Sequence, residues 1–196
     1  MAIPDIQPYV MPRPEELPAN TVTWTLDPRR AMLLIHDMQN YFLRAFPAGR
    51  SPVADLMGNV SRLRRHCTRL GIPVSYSAQP GGMTDERRGL LRDFWGPGMT
   101  TSPDDCALAE AIAPTIGDQV FVKWRYSAFH RSHLLDYLLD ALPTAKAGGF
   151  QPPRAHLVWW VVVLLVGVQP SGHPCGCLSA PTGAHGSRGP APPAQR

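Results

Sequence analysis

The sequence predicts an α/β fold with a parallel sheet and helices on both of its faces. Segments with strand character alternate with segments of helical periodicity along the first 142 residues, which is typical of strands joined by right-handed crossovers. The first strand, AMLLIH (31–36), begins with five consecutive apolar residues, as expected of a strand that is buried on both faces. With 196 residues, 44% of them apolar, the chain can build one domain with a sizeable core.

The first elements follow from local signals. Residues 1–30 are expected to form an N-terminal arm, in which five prolines among the first 20 residues prevent a helix. The segment 51–71 is predicted to be a helix because its apolar residues recur every three or four positions. Ser51 is expected to cap its start and Gly71 to close its end.

The remaining elements repeat the pattern. Between the second strand and the next helix, residues 79–99 are punctuated by glycine and proline and are predicted to form a long loop. The further predicted elements are the strand IPVSYSA (72–78), the short helix DDCALAEAIA (104–113), the strand QVFVKW (119–124) and the helix HRSHLLDYLLDAL (130–142).

Charge and composition argue against several classes of protein. All 15 acidic residues and 15 of the 19 basic residues lie in positions 1–140, so the net charge of +4 arises in the C-terminal segment. This distribution predicts no nucleic-acid interface on the folded domain. The apolar run Leu157–Val168 is shorter than the roughly 20 residues of a membrane span, which predicts no membrane insertion. Without a secretory signal or a disulfide framework, the expected location is the cytoplasm.

Residues 143–196 differ in character from the rest of the chain. They contain nine prolines, eight glycines and no acidic residue, and they are predicted to form a divergent, poorly ordered tail. The segment 156–168 is the exception, since it could form a buried strand. The motif HPCGC (173–177) offers three potential metal ligands, but structural zinc usually takes four, so no metal site is predicted.

A polar residue lies at the carboxyl end of each of the three predicted strands. These residues are Asp37, Gln79 and Lys123. Because ligands of parallel sheets bind beyond the carboxyl ends of the strands, we expect these side chains to converge on a pocket. They could serve as general acid, hydrogen-bond donor and electrostatic partner. The residues equally allow a structural interpretation, in which Asp37 caps a turn and Lys123 is its ion-pair partner.

Other side chains could complete such a pocket. Phe42, Trp95 and Tyr126 could supply apolar walls, and Arg88 together with Lys123 could bind an anionic substrate. His36 is interpreted as a structural hydrogen-bonding residue.

Three longer motifs resemble the isochorismatase family. They are LLIHDMQNYF (33–42), AQPGGMTDERRGLLRDFWGPGM (78–99) and VKWRYSAFHRSHLL (122–135), and the resemblance covers roughly residues 1–142. The N-terminal segments MAIPDIQPYVMP and LPANTVTW resemble the sequences of the branch that serves catecholate siderophore pathways. The related enzymes of phenazine synthesis share much of the same text.

The resemblance implies an isochorismatase-like hydrolase fold and a small-molecule substrate, isochorismate, whose vinyl ether is hydrolysed to pyruvate and 2,3-dihydroxy-2,3-dihydrobenzoate. By this likeness Asp37 is the general acid that protonates the methylene carbon of the enolpyruvyl group, and Lys123 holds both acid and substrate. Gln79 and Arg88 contact the enolpyruvyl carboxylate and neighbouring oxygens. The ring of the substrate is expected to pack against Trp95, Tyr126 and Phe42. No metal or organic cofactor is implied, and a homodimer is left open.

The chain departs from the family's pattern after residue 142. The family continues with a fourth strand and further strand–helix units, none of which is recognisable, so the C-terminal half is interpreted as missing or aberrant, as after a shift of reading frame. The strand before Asp37 is then expected to have a bare edge, unless the segment 156–168 takes the place of the fourth strand. Three functions stay open: a siderophore-type isochorismatase, a phenazine-pathway hydrolase acting on 2-amino-2-deoxyisochorismate, and an inactive truncated or frameshifted homologue.

Overall fold

Four parallel strands form one sheet in the computed structural model, which describes residues 3–19, 26–141 and 160–165. The strands are β1 (Ala31–His36), β2 (Val74–Ala78), β3 (Gln119–Val122) and β4 (Trp160–Leu165). Their order across the sheet is β3-β2-β1-β4, and every neighbouring pair is parallel. The predicted α/β class with a parallel sheet is therefore confirmed.

β1 has a hydrogen-bonded neighbour on each side. Leu33 pairs with Val74 of β2 on one side and with Val162 of β4 on the other. The expectation of a bare edge beside β1 is wrong, because the apolar segment Trp160–Leu165 pairs along all six residues of the strand. This pairing satisfies backbone groups that would otherwise be costly to bury. The rest of the predicted tail, including HPCGC (173–177), lies outside the described residues.

Helices pack on both faces of the sheet, as predicted. The α-helices of the described segments are α1 (Asn40–Leu43), α2 (Val53–Arg69), α3 (Asp85–Arg88), α4 (Leu91–Trp95), α5 (Pro103–Cys106) and α6 (Leu134–Ala141). None of the helices in residues 3–19 and 26–141 is long and apolar enough to cross a bilayer.

The alternation of side chains along β1 divides the core into two layers. Leu33 and Ile35 face Val60 of α2 in one cluster. Met32 and Leu34 face Leu134 of α6 in the other. Because all six residues of β1 are buried, both faces of this strand contribute to the core, and full burial of each large side chain is worth about 1.5–3 kcal/mol. The last residue of such a strand is held rigidly.

The N-terminal arm docks on the loop that follows β1. Its Ile6 amide donates to the carbonyl of Ala45 over 2.7 Å, and Ile3 and Ile6 pack against a cluster of Ala45, Phe46 and Val53. The arm also contains two 3-10 turns, Pro14–Glu16 and Pro28–Arg30, each of which starts with a proline, a residue well tolerated in a first helical turn.

The predicted end of α2 agrees with the structure, whereas the predicted start does not. Gly71 follows the helix with a φ of +69°, the left-handed conformation that favours glycine. At the start, Pro52 is the residue before the helix and no side chain caps it. Ser51 is therefore not the cap, and its buried hydroxyl has no hydrogen-bond partner among the described residues.

The segment 104–113, predicted to be one helix, is two short pieces. α5 ends at Cys106, and a separate 3-10 turn covers Glu110–Ile112. Between them Leu108 forms a β-bridge with Gln39, and the amide of Ala109 donates to the carbonyl of Met38 over 3.0 Å. These backbone bonds to the loop after β1 compete with the helix and interrupt it. The predicted loop 79–99 likewise contains α3 and α4.

Candidate active site

Asp37 is the residue at which the chain leaves β1. Its amide still donates to the carbonyl of Ser77 over 3.1 Å, and its φ of +56° then turns the backbone away from the sheet. Few residues other than glycine adopt this conformation, although aspartate tolerates it better than most. The turn places the carboxylate, which is only 8% exposed, beyond the carboxyl end of the strand. Unusual backbone at such a position is a frequent feature of functional sites.

The two oxygens of the Asp37 carboxylate have different surroundings. Oδ2 accepts from the ammonium group of Lys123, and the amide nitrogen of Gln79 lies 3.5 Å from the same oxygen. Oδ1 is buried and accepts no hydrogen bond from any described residue. A buried oxygen without a partner is rare and costly in folded proteins. The structure thus brings together the three residues that follow the strands, and one carboxylate oxygen has no donor among the residues that the structure describes.

Lys123 and Gln79 are positioned by the strands that precede them. Lys123 directly follows β3, is 3% exposed, and its amide donates to the carbonyl of Ala78 over 2.9 Å. Gln79 directly follows β2. Two adjacent parallel strands therefore deliver both side chains to the same edge of the sheet. A buried ion pair of this kind is expensive to desolvate, so it is weak support for stability and better support for function.

His36 lies under the carboxylate and is also buried. Its Nδ1 is 2.6 Å from the hydroxyl of Ser77, and its Nε2 is 3.7 Å from Oδ2 of Asp37. Burial lowers the pKa of His36, and nearby Lys123 lowers it further, while Asp37 acts in the opposite direction. Burial therefore favours the neutral imidazole.

Arg88 is buried against the loop 96–99. Its guanidinium donates through Nε to the carbonyl of Gly96 over 3.2 Å, and the side chain is 5% exposed. Burial lowers its pKa, although the nearby hydroxyls of Tyr41 and Tyr126 act in the opposite direction. A methyl group added to the α-carbon of Gly98 would lie 2.6 Å from the guanidinium. Glycine at this position is what leaves room for the arginine.

The predicted aromatic residues each contact another aromatic side chain. The indole of Trp95 donates to the hydroxyl of Tyr126 over 2.7 Å, although Tyr126 remains 66% exposed. Phe42 packs edge-on against Tyr41, with ring centroids 5.2 Å apart. Tyr41 was not singled out in the sequence, and its electrostatic coupling to Arg88 connects the α1 ring pair to the arginine.

Gln39 is the main site residue that the sequence analysis missed. It is buried, and its side-chain amide makes three hydrogen bonds of 2.7–3.0 Å to backbone groups of Gln79 and Cys106. Its position two residues after Asp37, inside the motif DMQN, was the available signal. No group of three or more histidine, cysteine or acidic side chains that could hold a metal occurs within the described segments.

Comparison with known proteins identifies the family of the chain. Residues 31–142 match the family model of the isochorismatase domain. The chain is 53% identical over 138 residues to the isochorismatase of Bacillus subtilis, a match that covers 70% of this chain and 44% of that protein. It is 54% identical over 139 residues to phenazine biosynthesis protein PhzD1 of Pseudomonas aeruginosa, covering 71% and 66% respectively.

A third relative is enterobactin synthase component B of Escherichia coli K12. It is 45% identical over 141 residues, which cover 72% of this chain and 50% of that protein. The chain therefore spans between 44% and 66% of the length of these three relatives.

Solved structures share the fold at low sequence identity. A cysteine hydrolase from Pseudomonas syringae superposes with a TM-score of 0.53 at 22% identity, covering 64% of this chain and 61% of that one. An isochorismatase family protein from Burkholderia thailandensis superposes with a TM-score of 0.50 at 20% identity, covering 60% and 61%. The sheet, the acid at the end of its inner strand and the matched domain lead to one conclusion: the chain belongs to the isochorismatase family of hydrolases.

Proposed function

We propose that this protein hydrolyses the vinyl ether of isochorismate to pyruvate and 2,3-dihydroxy-2,3-dihydrobenzoate, with Asp37 as general acid. The observation that carries the proposal is the asymmetry of the buried Asp37 carboxylate. Oδ2 is held by Lys123 and Gln79, while Oδ1 has no partner among the described residues. An acid that must protonate carbon needs a fixed carboxyl group with one oxygen free to face the substrate.

The reaction follows from that arrangement. A proton on Oδ1 is transferred to the methylene carbon of the enolpyruvyl group, which leaves an oxocarbenium ion at the neighbouring carbon. Lys123 and Gln79 stabilise the carboxylate that forms on Asp37, and such preorganised donors act where charge develops. Water adds to the oxocarbenium ion, its released proton restores the acid, and the hemiketal collapses to pyruvate and the ring alcohol.

Arg88 is proposed to bind a carboxylate of the substrate. Among the described residues its guanidinium is held only by Gly96, through Nε. Both terminal nitrogens are therefore left for a two-pronged contact with an anion, the geometry that arginine favours. Trp95 and Tyr126, which are hydrogen-bonded to each other, and Phe42 are proposed to pack on the ring. Isochorismate carries two carboxylates and one ring, which matches this combination of groups.

The amino analogue, 2-amino-2-deoxyisochorismate, is the second candidate substrate. It is supported by the 54% identity to a phenazine biosynthesis protein, close to the 53% identity to an isochorismatase. The same acid and arginine would serve both substrates. We place the siderophore reaction first because the N-terminal sequence resembles that branch of the family. We also propose that the protein acts in the cytoplasm, where the free cysteines Cys67 and Cys106 would stay reduced.

The test is a lactate-dehydrogenase-coupled assay of pyruvate release by the purified full chain on each substrate. The proposal expects release from isochorismate and a smaller kcat/KM for the amino analogue. In water labelled with oxygen-18, cleavage at the vinyl carbon leaves the ring alcohol unlabelled. A chain that releases no pyruvate from either substrate favours the inactive homologue, and label in the ring alcohol contradicts the proposed mechanism.

A further inference from the structure

We infer that Gln39 is a positioning residue that fixes the backbone of Gln79, so that the Gln79 side chain can reach Asp37. The kinetic part of this inference rests on the proposed function, whereas the structural part does not. Gln39 is 1% exposed and touches no reacting atom in the proposed mechanism. Its effect on the reaction would pass through Gln79.

The side-chain amide of Gln39 bonds Gln79 in the way a neighbouring strand would. Its Oε1 accepts from the amide of Gln79 over 2.7 Å, and its Nε2 donates to the carbonyl of the same residue over 3.0 Å. Nε2 also donates to the carbonyl of Cys106 over 2.9 Å. Both donor hydrogens are thus used, and the last residue of α5 is tied to the same point.

The Gln39 side chain can take the place of a strand here because the hydrogen-bonded pairing of β1 with β2 ends just before Gln79. The last pair in the register is His36 with Ser77, and the turn at Asp37, with its φ of +56°, carries the backbone of β1 away. Gln79 follows the end of β2 and would otherwise lose its pairing on that side. A side chain from two residues further along the chain supplies the missing bonds.

The position of the Gln79 backbone matters because its side-chain contact is already long. The distance from Nε2 of Gln79 to Oδ2 of Asp37 is 3.5 Å, at the outer limit of a useful hydrogen bond. A small displacement of the Gln79 backbone therefore removes the contact. Loss of the Gln39 amide should weaken the charge stabilisation at Asp37 without removing a group from the proposed reaction.

A double-mutant cycle separates this role from a merely structural one. Gln39→Met keeps the length of the side chain and removes its three bonds. In the chain with Gln79 we expect kcat for pyruvate release from isochorismate to fall about tenfold or more. In the Gln79→Ala background the same change should lower kcat by about twofold at most, because coupled residues are not additive.

Hydrogen exchange gives a readout that does not need activity. The Gln79 amide should exchange about tenfold faster or more in Gln39→Met, while the amides within β1 keep their protection. Asn40→Leu is the matched control, because it removes an amide whose one partner within the described segments is Asp104 (3.1 and 3.3 Å). It should leave the exchange of Gln79 unchanged and kcat within about twofold of the unmutated chain.

Two results would overturn the inference. One is unchanged protection of the Gln79 amide in Gln39→Met; the other is an equal loss of kcat in both Gln79 backgrounds. If Gln39→Met does not fold, Gln39→Asn, which keeps the amide but shortens its reach, is measured in the same cycle. If the unmutated chain releases no pyruvate, the proposed function fails, and the exchange of the Gln79 amide alone decides the role of Gln39.

Discussion

Lys123 and Asp37 form a buried ion pair across two strands that are not neighbours in the sheet. Asp37 follows β1 and Lys123 follows β3, with β2 between them. The pair therefore reaches across the end of β2, and its two members are 86 positions apart in the sequence. Its integrity depends on correct assembly of the sheet.

Removal of one member of this pair should be more harmful than removal of both. Lys123→Met leaves a buried carboxylate without its counter-charge, and we expect a loss of about 3–5 kcal/mol in the free energy of unfolding. Asp37→Asn combined with Lys123→Met should recover part of that loss, because no charge is left buried. Urea denaturation of the single and double variants measures both values. A double variant less stable than Lys123→Met would contradict the ion-pair interpretation.

Gly98→Ala should weaken substrate binding by displacing Arg88. The added methyl would lie 2.6 Å from the guanidinium, and the flexible arginine, not the backbone, is what would move. If Arg88 binds a substrate carboxylate, KM for isochorismate should rise about tenfold, with a smaller change in kcat.

Gly71→Ala is the matched control for that experiment. Gly71 has a similar positive φ of +69°, but nothing lies within 4 Å of an added methyl. Both variants therefore incur a backbone cost of about 1–2 kcal/mol, and only Gly98→Ala should change KM. An equal KM in the two variants would argue against Arg88 as an anion-binding residue.

The neutral state of His36 should make stability depend on pH. Its pKa in the folded chain is lowered from 6.5, mainly by burial. Below 6.5 the unfolded chain binds this proton more readily, so the stabilising contribution is complete above that pH and is lost as pH falls towards the folded pKa. His36→Gln, which stays neutral and can still bond Ser77, should flatten the fall in unfolding free energy as the pH drops below about 6.5. An identical slope in both chains would contradict the prediction.

Tyr76→Phe should destabilise the fold without affecting the site. The Tyr76 hydroxyl donates to the carbonyl of Ile112 over 2.8 Å in the core beneath α2, and burial raises the pKa of Tyr76 to about 12. Removing the hydroxyl leaves that carbonyl unpaired at a cost of about 1–3 kcal/mol. Thermal unfolding should show the loss, while kcat and KM for pyruvate release should stay within about twofold. A changed KM would mean that the core and the site are coupled.

The sequence patterns predicted the strands well because burial on two faces leaves a clear signal. The predicted strand AMLLIH (31–36) begins and ends at the same residues as the observed β1. Its apolar run reflects contacts with helices on both sides of the sheet. The position of Asp37, Gln79 and Lys123 at one edge also followed from the order of the strands, since parallel strands end on the same side.

Other features depend on contacts between distant segments, which local patterns do not contain. The break between α5 and the 3-10 turn at Glu110–Ile112 results from backbone bonds to Met38 and Asn40. The role of Gln39 depends on Gln79 and Cys106, which lie 40 and 67 residues away. The pairing of Trp160–Leu165 with β1 could not be inferred from the sequence motifs of the family. Strands pair through their backbones, so an apolar segment of the right length can pair with an open strand without a family motif.

The most direct test of the central claim is the rate of pyruvate release from isochorismate by Asp37→Asn relative to the unmutated chain. Asparagine keeps the shape of the side chain but cannot deliver a carboxyl proton. General acid catalysis contributes about 10²- to 10⁴-fold, so we predict a loss of kcat of at least about 100-fold, with circular dichroism confirming that the variant is folded. A folded Asp37→Asn variant that releases pyruvate within about threefold of the unmutated rate would contradict the assignment of Asp37 as the proton donor.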